Sequence, residues 1–369
     1  MRTLERGPRR ESLDAAIMSV AQTYGFTSQP VSITRNDLGD IPEHVDRDTA
    51  LIATLAGKMG HVTQTTQMWA TAKKGGGTNV VFAAASPKLS IAQAFVVKAA
   101  LATSEAAGFE NPLVLISSVG DAESRRRYVR ELGNFFKKNA KEIPEEILEM
   151  SGKEPDAAAR LLIEEEHELA ESLPRTIDFL SESSRKIMLE TISLFESLEI
   201  QYELDSRLPY VPDVQRELIF AIEGTDRKGN IVRVATGGRL QDETKGKKKD
   251  QTDIIGMSVA IDDQLDIRTS RNDTKPACFV VHVGEAAKLR SFTLLDSLWR
   301  AHIALEQALL SDTVTDQMEK AKDSEAKYIA IIGQREALDN TVIIKNAATQ
   351  LQETVTVDKF ISRMSRVHA

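Results

Sequence analysis

Apolar residues along this chain recur with two spacings, one typical of amphipathic helices and the other typical of half-buried strands. The region 91–107 is rich in alanine and carries one apolar stripe, which predicts a helix that ends at Gly108. Further helices are predicted at 12–24, 46–59, 140–172 and 185–198, and strands at 26–33, 62–72, 80–85, 112–117, 201–204, 217–223 and 231–236. The apolar region 253–261 predicts a strand that turns into a helix.

The C-terminal part of the chain alternates regularly between strands and helices. Strands are predicted at 277–283, 304–309, 328–333 and 341–346, and helices at 286–302, 315–324 and 356–366. This alternation predicts a mostly parallel sheet covered by helices on both faces. The polar stretch 268–275 indicates a domain boundary. We therefore predict a first domain over 1–267, with a helical insertion at 140–180, and a second domain over 274–369.

Composition narrows the classes of protein to which the chain can belong. Its 369 residues include 47 Lys and Arg against 55 Asp and Glu, a formal net charge of −8. An acidic total argues against a general nucleic-acid coat but leaves room for a local basic patch. The single cysteine, Cys278, excludes an intramolecular disulfide and a multi-cysteine zinc site, which suits a reducing cytoplasm. No apolar run approaches ~20 residues, so no membrane partner is expected, and the basic N-terminus lacks the apolar core of a secretory signal.

A glycine-rich stretch, 73–78, separates two of the predicted strands. The backbone N–H groups of such a loop can hold a phosphate. A phosphate loop, however, needs a Lys-Ser or Lys-Thr ending and a following helix, and neither is present here. We therefore favour a plain hairpin over a phosphate site.

Two stretches of the chain concentrate positive charge. The residues are Arg125, Arg126 and Arg127 in the first stretch and Lys247, Lys248 and Lys249 in the second. The first follows Asp121, a good N-cap, and its simplest interpretation is a solvated helix face balanced by nearby carboxylates. The second reads most simply as a flexible polar loop. In both stretches the alternative is contact with an anion or an RNA backbone.

Two segments carry motifs that can be compared with a known family: DFLSESSRKIMLETISLFESLEIQYELDSRLPYVPDVQRELIFAIEG at 178–224 and ATGGRL at 235–240. They resemble the region of histidyl-tRNA synthetases that leads into the first histidine-specific motif, and the start of the second motif. The C-terminal region, 276–368, resembles the anticodon-binding domain of that family. The resemblance implies an α/β and α+β fold: a class II synthetase-like antiparallel sheet core with helices, followed by an α/β anticodon-binding-like domain. It also implies a homodimer.

The resemblance places a ligand pocket at Arg207, Asp213, Gly237, Gly238 and Arg239. The family motif Arg-Gly-Leu-Asp-Tyr-Tyr falls on 210–215, where Asp213 is retained but Tyr210, Val211, Val214 and Gln215 replace the arginine, the glycine and the two tyrosines. The family positions that hold ATP carry Thr71, Ala72, Asn79 and Val80, and Asp263 replaces the arginine that stacks on adenine. The charged residues that bind ATP in the family and the reactive arginine are therefore missing.

No other catalytic constellation is present in the sequence. The six histidines lack ligand spacing, so no metal site is predicted. Cys278 lies in a predicted buried strand, where an inert core thiol is expected. No catalytic residue and no cofactor are therefore assigned.

These observations predict a non-catalytic synthetase-like protein that acts as a tRNA- or structured-RNA-binding module linked to translation. The alternative is a regulatory subunit that resembles the synthetase-like partner of ATP phosphoribosyltransferase, with a histidine-biosynthesis enzyme as its partner. Such a subunit should keep a histidine pocket, and the substitutions within 210–215 count against it. A divergent but active histidine-tRNA ligase is the third hypothesis.

Overall fold

A computed structural model of the protein contains two β-sheets and the helices that cover them. It describes residues 20–21, 23–28, 67–74, 78–86, 89–211, 215–240, 253–261, 276–311 and 313–368. The predictions made for 46–59, Asp213, 247–249 and Asp263 lie outside these residues. Among the described helices, none is long and apolar enough to cross a membrane.

The first sheet has eight strands in the order β1-β2-β3-β8-β7-β6-β4-β5. The strands are β1 (Thr27–Ser28), β2 (Gln67–Lys74), β3 (Thr78–Ser86), β4 (Glu110–Gly120), β5 (Tyr202–Leu204), β6 (Gln215–Thr225), β7 (Ile231–Leu240) and β8 (Asp253–Ile261). The edge pairs β1–β2 and β4–β5 are parallel, and the other neighbours are antiparallel. The antiparallel core is therefore confirmed, as is the hairpin formed by β2 and β3.

Two long helices cover one face of this sheet: α1 (Leu89–Ala106) and α5 (Glu182–Ser197). Phe195 of α5 stacks on Phe220 of β6, with ring centroids 5.8 Å apart. Each large apolar side chain that is fully buried in this way contributes about 1.5–3 kcal/mol. The amphipathic spacing in the sequence located both helices within a few residues.

The predicted insertion is helical. It follows α2 (Ala122–Lys138) and contains α3 (Glu145–Ser151), α4 (Pro155–Glu164) and two 3₁₀ turns (Glu168–Ser172 and Thr176–Phe179). Its apolar side chains pack with those of α2 into a separate small core of Tyr128, Leu132, Phe136, Ile143, Ile147, Ala158, Ala159 and Leu162. The insertion is therefore a packed unit with apolar contacts of its own.

The second sheet has five strands in the order β10-β9-β11-β12-β13. The strands are β9 (Cys278–His282), β10 (Leu305–Gln307), β11 (Tyr328–Ile332), β12 (Thr341–Asn346) and β13 (Gln352–Thr356). The helices are α6 (Glu285–Arg300), α7 (Val314–Asp323), α8 (Gln334–Asp339) and α9 (Val357–His368). Strand β9 pairs in parallel with β10 and β11, whereas β12 pairs antiparallel with β11 and β13.

The sequence-based prediction was wrong at three places. Helix α8 and strand β13 were not predicted, and the sheet is half antiparallel because β12 pairs antiparallel with both β11 and β13. Four of the five residues of β13 are exposed, so the strand carries no apolar alternation. The predicted helix at the end of 253–261 is instead strand β8, because hydrogen bonding to β3 and β7 on its two sides overrides local preference.

Helices α1 and α6 join the two sheets. Phe95 of α1 packs against Phe292 of α6, with ring centroids 4.1 Å apart. Beside this contact, Asp296 of α6 forms an ion pair with Lys98 and accepts a hydrogen bond from the Tyr24 hydroxyl. The Lys98 residue is 6% exposed, so this polar contact is shielded from water. The second sheet is therefore anchored to the first by both apolar and charged contacts.

Candidate functional site

The candidate site lies on the face of the eight-stranded sheet opposite α1 and α5. Because side chains alternate between the two faces of a strand, strand register shows which residues share this face. One row across the sheet is Val81, Ser258, Thr236, Ala221 and Leu115, and the next is Ala83, Gly256, Gly238, Ile219 and Ser117. The side chains in these two rows are small, apolar or hydroxylic. They place no fixed charge at the centre of the face.

Two glycines of the resemblance, Gly237 and Gly238, are required by close contacts within the sheet. A Cβ atom at Gly237 would lie 2.1 Å from the carbonyl oxygen of Gly256. A Cβ atom at Gly238, where φ is +153°, would lie 2.5 Å from the carbonyl oxygen of Leu218. No side chain fits at either position without displacing backbone. The packing of the sheet alone therefore accounts for both glycines.

The segment 205–217 carries the replaced motif, and we call it the site segment. Val211 is buried, and its backbone N–H donates to Gln215 Oε1 at 2.9 Å. The Gln215 amide in turn donates to the carbonyl oxygen of Gly237 at 3.3 Å. Two of the replacement residues thus belong to a buried hydrogen-bond chain that ties the site segment to β7.

Tyr210 connects the site segment to the helical insertion. Its hydroxyl donates to Asp156 in the first turn of α4, and its carbonyl oxygen accepts from Arg160 Nη2 at 2.9 Å. Arg125 of α2 lies 3.3 Å from the other carboxylate oxygen of Asp156. Burial, followed by the charge of Asp156, raises the pKa of Tyr210, so the phenol stays neutral. We call Tyr210, Asp156, Arg160 and Arg125 the Tyr210 cluster. It fixes α4 against position 210, where the resemblance expects an arginine.

Apolar side chains complete the surroundings of Tyr210. Leu115, Val119, Leu208, Ile219 and Ala221 form a buried cluster, and Tyr210 and Leu113 pack against it. The phenol of Tyr210 thus lies between this apolar cluster and the Asp156 carboxylate. Sequence reasoning missed this packing because the residues come from three separated segments.

Glu217 is a buried carboxylate that sequence reasoning also missed. It adopts a left-handed backbone conformation with φ of +56° and is 6% exposed. Burial raises the pKa of Glu217, whereas a hydrogen bond from Ser184 and the charges of Arg239 and Arg216 lower it. Arg239, one of the predicted pocket residues, is half-buried and thus acts on an internal carboxylate.

Asp121 caps helix α2, as predicted. Its carboxylate accepts hydrogen bonds from the backbone N–H groups of Glu123 and Ser124 and from the hydroxyls of Ser181 and Ser183. Burial opposes ionisation, but these hydrogen bonds prevail and lower the pKa of Asp121 to about 2. The residue joins the start of α2 to the start of α5.

The predicted arginine group divides into residues with different surroundings. Arg125 binds Asp156 in the Tyr210 cluster, and Arg127 pairs with Glu123 one helical turn away. Arg126 is exposed on α2. The structure therefore brings one of the three residues into the candidate site and directs another to solvent.

Arg207 lies away from the buried part of the site segment. The residue is exposed, and its guanidinium pairs with Glu171 of the first 3₁₀ turn. The structure thus brings Gly237, Gly238 and Arg239 together on β7 but does not bring Arg207 to them.

Comparison with known proteins gives the context of this site. Residues 277–366 match the anticodon binding domain family. A histidine-tRNA ligase of Bacillus subtilis (strain 168) is 28% identical over 275 residues, which are 73% of this chain and 65% of that protein. That of Anoxybacillus flavithermus is 27% identical over 266 residues, 70% of this chain and 63% of the relative. The chain is similar in sequence to histidine-tRNA ligases.

Structural comparison agrees with this assignment at the level of the fold. The crystal structure of apo S. aureus histidyl-tRNA synthetase aligns with a TM-score of 0.54 at 18% identity, covering 99% of this chain and 98% of that one. The synthetase-like chain spans 63% and 65% of the length of the two curated relatives. What those relatives do is therefore not carried over to it directly.

In the domain that matches the anticodon-binding family, the buried polar residues Gln317 and His282 form hydrogen bonds within the domain. Gln317 of α7 accepts from the backbone N–H of His282 at 2.9 Å and donates to the carbonyl oxygen of Ser311 at 3.2 Å. Burial, followed by the charge of Lys288, lowers the pKa of His282. Burial raises the pKa of the Cys278 thiol to about 12, as expected of an inert core cysteine. Among the described residues, no group of three or more His, Cys, Asp or Glu could hold a metal ion.

Proposed function

We propose that this chain is a non-catalytic synthetase-like protein that binds tRNA or another structured RNA. The observation that carries the proposal is the packing of the described residues of the site segment, in which Tyr210 bonds to Asp156 and Val211 bonds to Gln215. This packing occupies the positions at which the resemblance expects the reactive arginine and glycine.

The first support is electrostatic. Attack of an amino acid on ATP develops negative charge, which an enzyme stabilises with a preorganised cation or hydrogen-bond donor. Tyr210 supplies no charge, and its hydroxyl already donates to Asp156. Arg239 and Arg216 act on the buried carboxylate of Glu217. These two arginines thus face an internal carboxylate.

The second support is steric. Val211 is 3% exposed and belongs to the hydrogen-bond chain that runs through Gln215 to Gly237. A substrate at this position would have to displace buried backbone and side-chain contacts. Each buried hydrogen-bonding group left without a partner costs about 1–3 kcal/mol. A ligand that displaced Val211 and Gln215 would therefore have to replace these hydrogen bonds or bear that cost.

RNA binding is assigned to the anticodon-binding domain, since residues 277–366 match that family. The test is equilibrium binding of bulk tRNA to the full chain over a range of salt concentrations. We expect binding that weakens with salt, because Lys and Arg side chains displace counterions from phosphates. Absence of tRNA binding at low salt would contradict the proposal.

The alternative roles predict different ligands. A ligand raises the melting temperature only of a protein that binds it in the folded state. We expect bulk tRNA to raise the melting temperature, and histidine and ATP to leave it unchanged. A shift with histidine alone would favour the regulatory subunit, and shifts with both histidine and ATP would favour an active ligase.

By the same resemblance we propose a homodimer, which light scattering would detect as twice the chain mass.

A further inference from the structure

Helix α2 presents a charged surface that the candidate site does not use. Arg126, Arg130 and Lys137 are exposed on this helix. Given 3.6 residues per turn and 1.5 Å rise per residue, these side chains and Gly133 fall within an arc of about 60° and extend about 16 Å along the axis. We call these four residues the basic stripe. They form a straight row of cations with a glycine in the middle.

We propose that the basic stripe binds the phosphate backbone of RNA. The inference rests on the proposed function, and it adds a second RNA-contacting surface outside the anticodon-binding domain. Its partner is defined by chemistry: a row of phosphates matched to a row of cations on one helix.

The charge of the stripe is available to a partner. Among the described residues, none of its three cations forms an ion pair. The nearest acidic residues on the same helix are engaged elsewhere: Glu123 pairs with Arg127, and Glu131 accepts from Asn134 at 3.2 Å. The stripe therefore keeps its positive charge although the whole chain is acidic.

The opposite side of α2 holds the stripe in place. Tyr128, Leu132 and Phe136 are buried in the small core shared with the insertion. Asp121 fixes the start of the helix by capping it. The backbone of an anchored helix is already ordered, so binding to this surface costs little backbone conformational entropy, which favours affinity.

Gly133 lies in the middle of the basic stripe. A Cβ atom at this position would meet nothing within 4 Å, and no positive φ requires glycine there. Glycine in a helix interior makes the helix less stable than alanine would. Nothing within the described chain therefore explains Gly133. A phosphate backbone that lies close to the helix between Arg130 and Lys137 does explain it.

A pair of variants tests the electrostatic part. The triple variant Arg126→Gln, Arg130→Gln, Lys137→Gln should bind bulk tRNA about tenfold or more weakly, and the slope of log affinity against log salt should fall by about 2 to 3. The matched control is Arg185→Gln, Lys186→Gln, Lys228→Gln, which removes the same charge from exposed positions on α5 and the β6–β7 turn. The control should retain both affinity and slope.

A third variant tests the steric part without weakening the fold. Gly133→Gln adds a good helix former at an open position, so its melting temperature should equal or exceed that of the natural chain. Its tRNA affinity should nevertheless fall several-fold. Unchanged affinity in Gly133→Gln, or an equal loss in the stripe and control triples, would overturn the inference.

Two further outcomes separate this inference from the proposed function. If tRNA binds and the stripe variants bind it as well as the natural chain, the inference fails and the proposed function stands. If the full chain binds no tRNA, both fail. Polyglutamate, at equal total charge, serves as a competitor without phosphate. If it displaced labelled tRNA as strongly as unlabelled tRNA does, the assignment to phosphate would be overturned.

Discussion

The site segment and the anticodon-binding domain share one family resemblance but differ in which residues they retain. In the site segment and the adjoining β7, Gly237 and Gly238 are demanded by backbone contacts, while Tyr210 and Val211 stand where the resemblance expects an arginine and a glycine. In the anticodon-binding domain, Gln317 is buried and accepts a hydrogen bond from the backbone of strand β9. A residue that is shared with the family can thus be explained by packing alone, as at Gly237 and Gly238.

Gly237→Ala should have the largest effect, because it removes a contact on which the core sheet depends. The added Cβ atom would lie 2.1 Å from the Gly256 carbonyl oxygen, and the strands would have to separate. We expect a loss of about 3 kcal/mol or more in the free energy of unfolding, measured by urea denaturation. The control is Gly133→Ala at the open position on α2, where we expect a gain of about 0.5–1 kcal/mol.

Asp156→Ala should have the next largest effect and should act on the core alone. It leaves the buried Tyr210 hydroxyl and the Arg125 guanidinium without their carboxylate partner, at a cost of about 1–3 kcal/mol. Hydrogen exchange should then accelerate in α4 and remain unchanged in β9. Gln317→Leu should show the opposite pattern. Equal exchange changes in both regions for either variant would show that the two regions do not respond separately.

Lowering the pH should destabilise the anticodon-binding domain through His282. The folded-state pKa of His282 is below its ordinary value of 6.5, so the unfolded chain binds the proton first as pH falls. The contribution of neutral His282 to the free energy of unfolding is therefore fully present above about pH 6.5. It is lost below that pH, because His282 must take up a proton. The melting temperature of His282→Gln should depend less on pH between neutral and acidic conditions.

The exposed His302 provides the matched control for this pH dependence. His302→Asn should keep the pH dependence of the natural chain. Burial raises the pKa values of Glu105, Glu217 and Glu306, so their contributions to stability are lost as pH rises through the folded-state values. The three glutamates thus act in the opposite direction to His282. Only the difference in pH dependence between His282→Gln and the natural chain isolates the effect of the histidine.

Arg207→Ala should have the smallest effect, although the resemblance places this residue in the pocket. Its guanidinium is exposed and pairs with Glu171 at the surface. Exposed ion pairs contribute about 0–1 kcal/mol. We expect a stability change within that range and unaltered tRNA binding. A large loss of tRNA affinity would restore Arg207 to a functional surface.

Much of the fold could be predicted because local signals agree with packing. The apolar stripes of α1 and α5 and the hairpin between β2 and β3 follow from spacing and turn residues. Strand β13 gave no such signal because its side chains are mostly exposed. The end of β8 was wrong because pairing on both sides, which no local pattern encodes, decided its conformation.

The candidate site was less predictable because its contacts join distant parts of the chain. Asp156 and Tyr210 are 54 positions apart, and no spacing rule connects them. The left-handed Glu217 lies at a register shift between β6 and its neighbours, which is a property of the sheet. By contrast, the N-cap Asp121 was predictable since the cap and its helix are adjacent in sequence.

Histidine-dependent exchange of pyrophosphate into ATP measures most directly whether the inherited fold has lost the inherited reaction. It should be measured on a preparation shown to be folded and to bind bulk tRNA, with a histidine-tRNA ligase as positive control. We expect no exchange above the background without histidine, because Tyr210 is neutral and its hydroxyl already donates to Asp156. Exchange that depends on histidine and proceeds at a rate comparable to the positive control would contradict it.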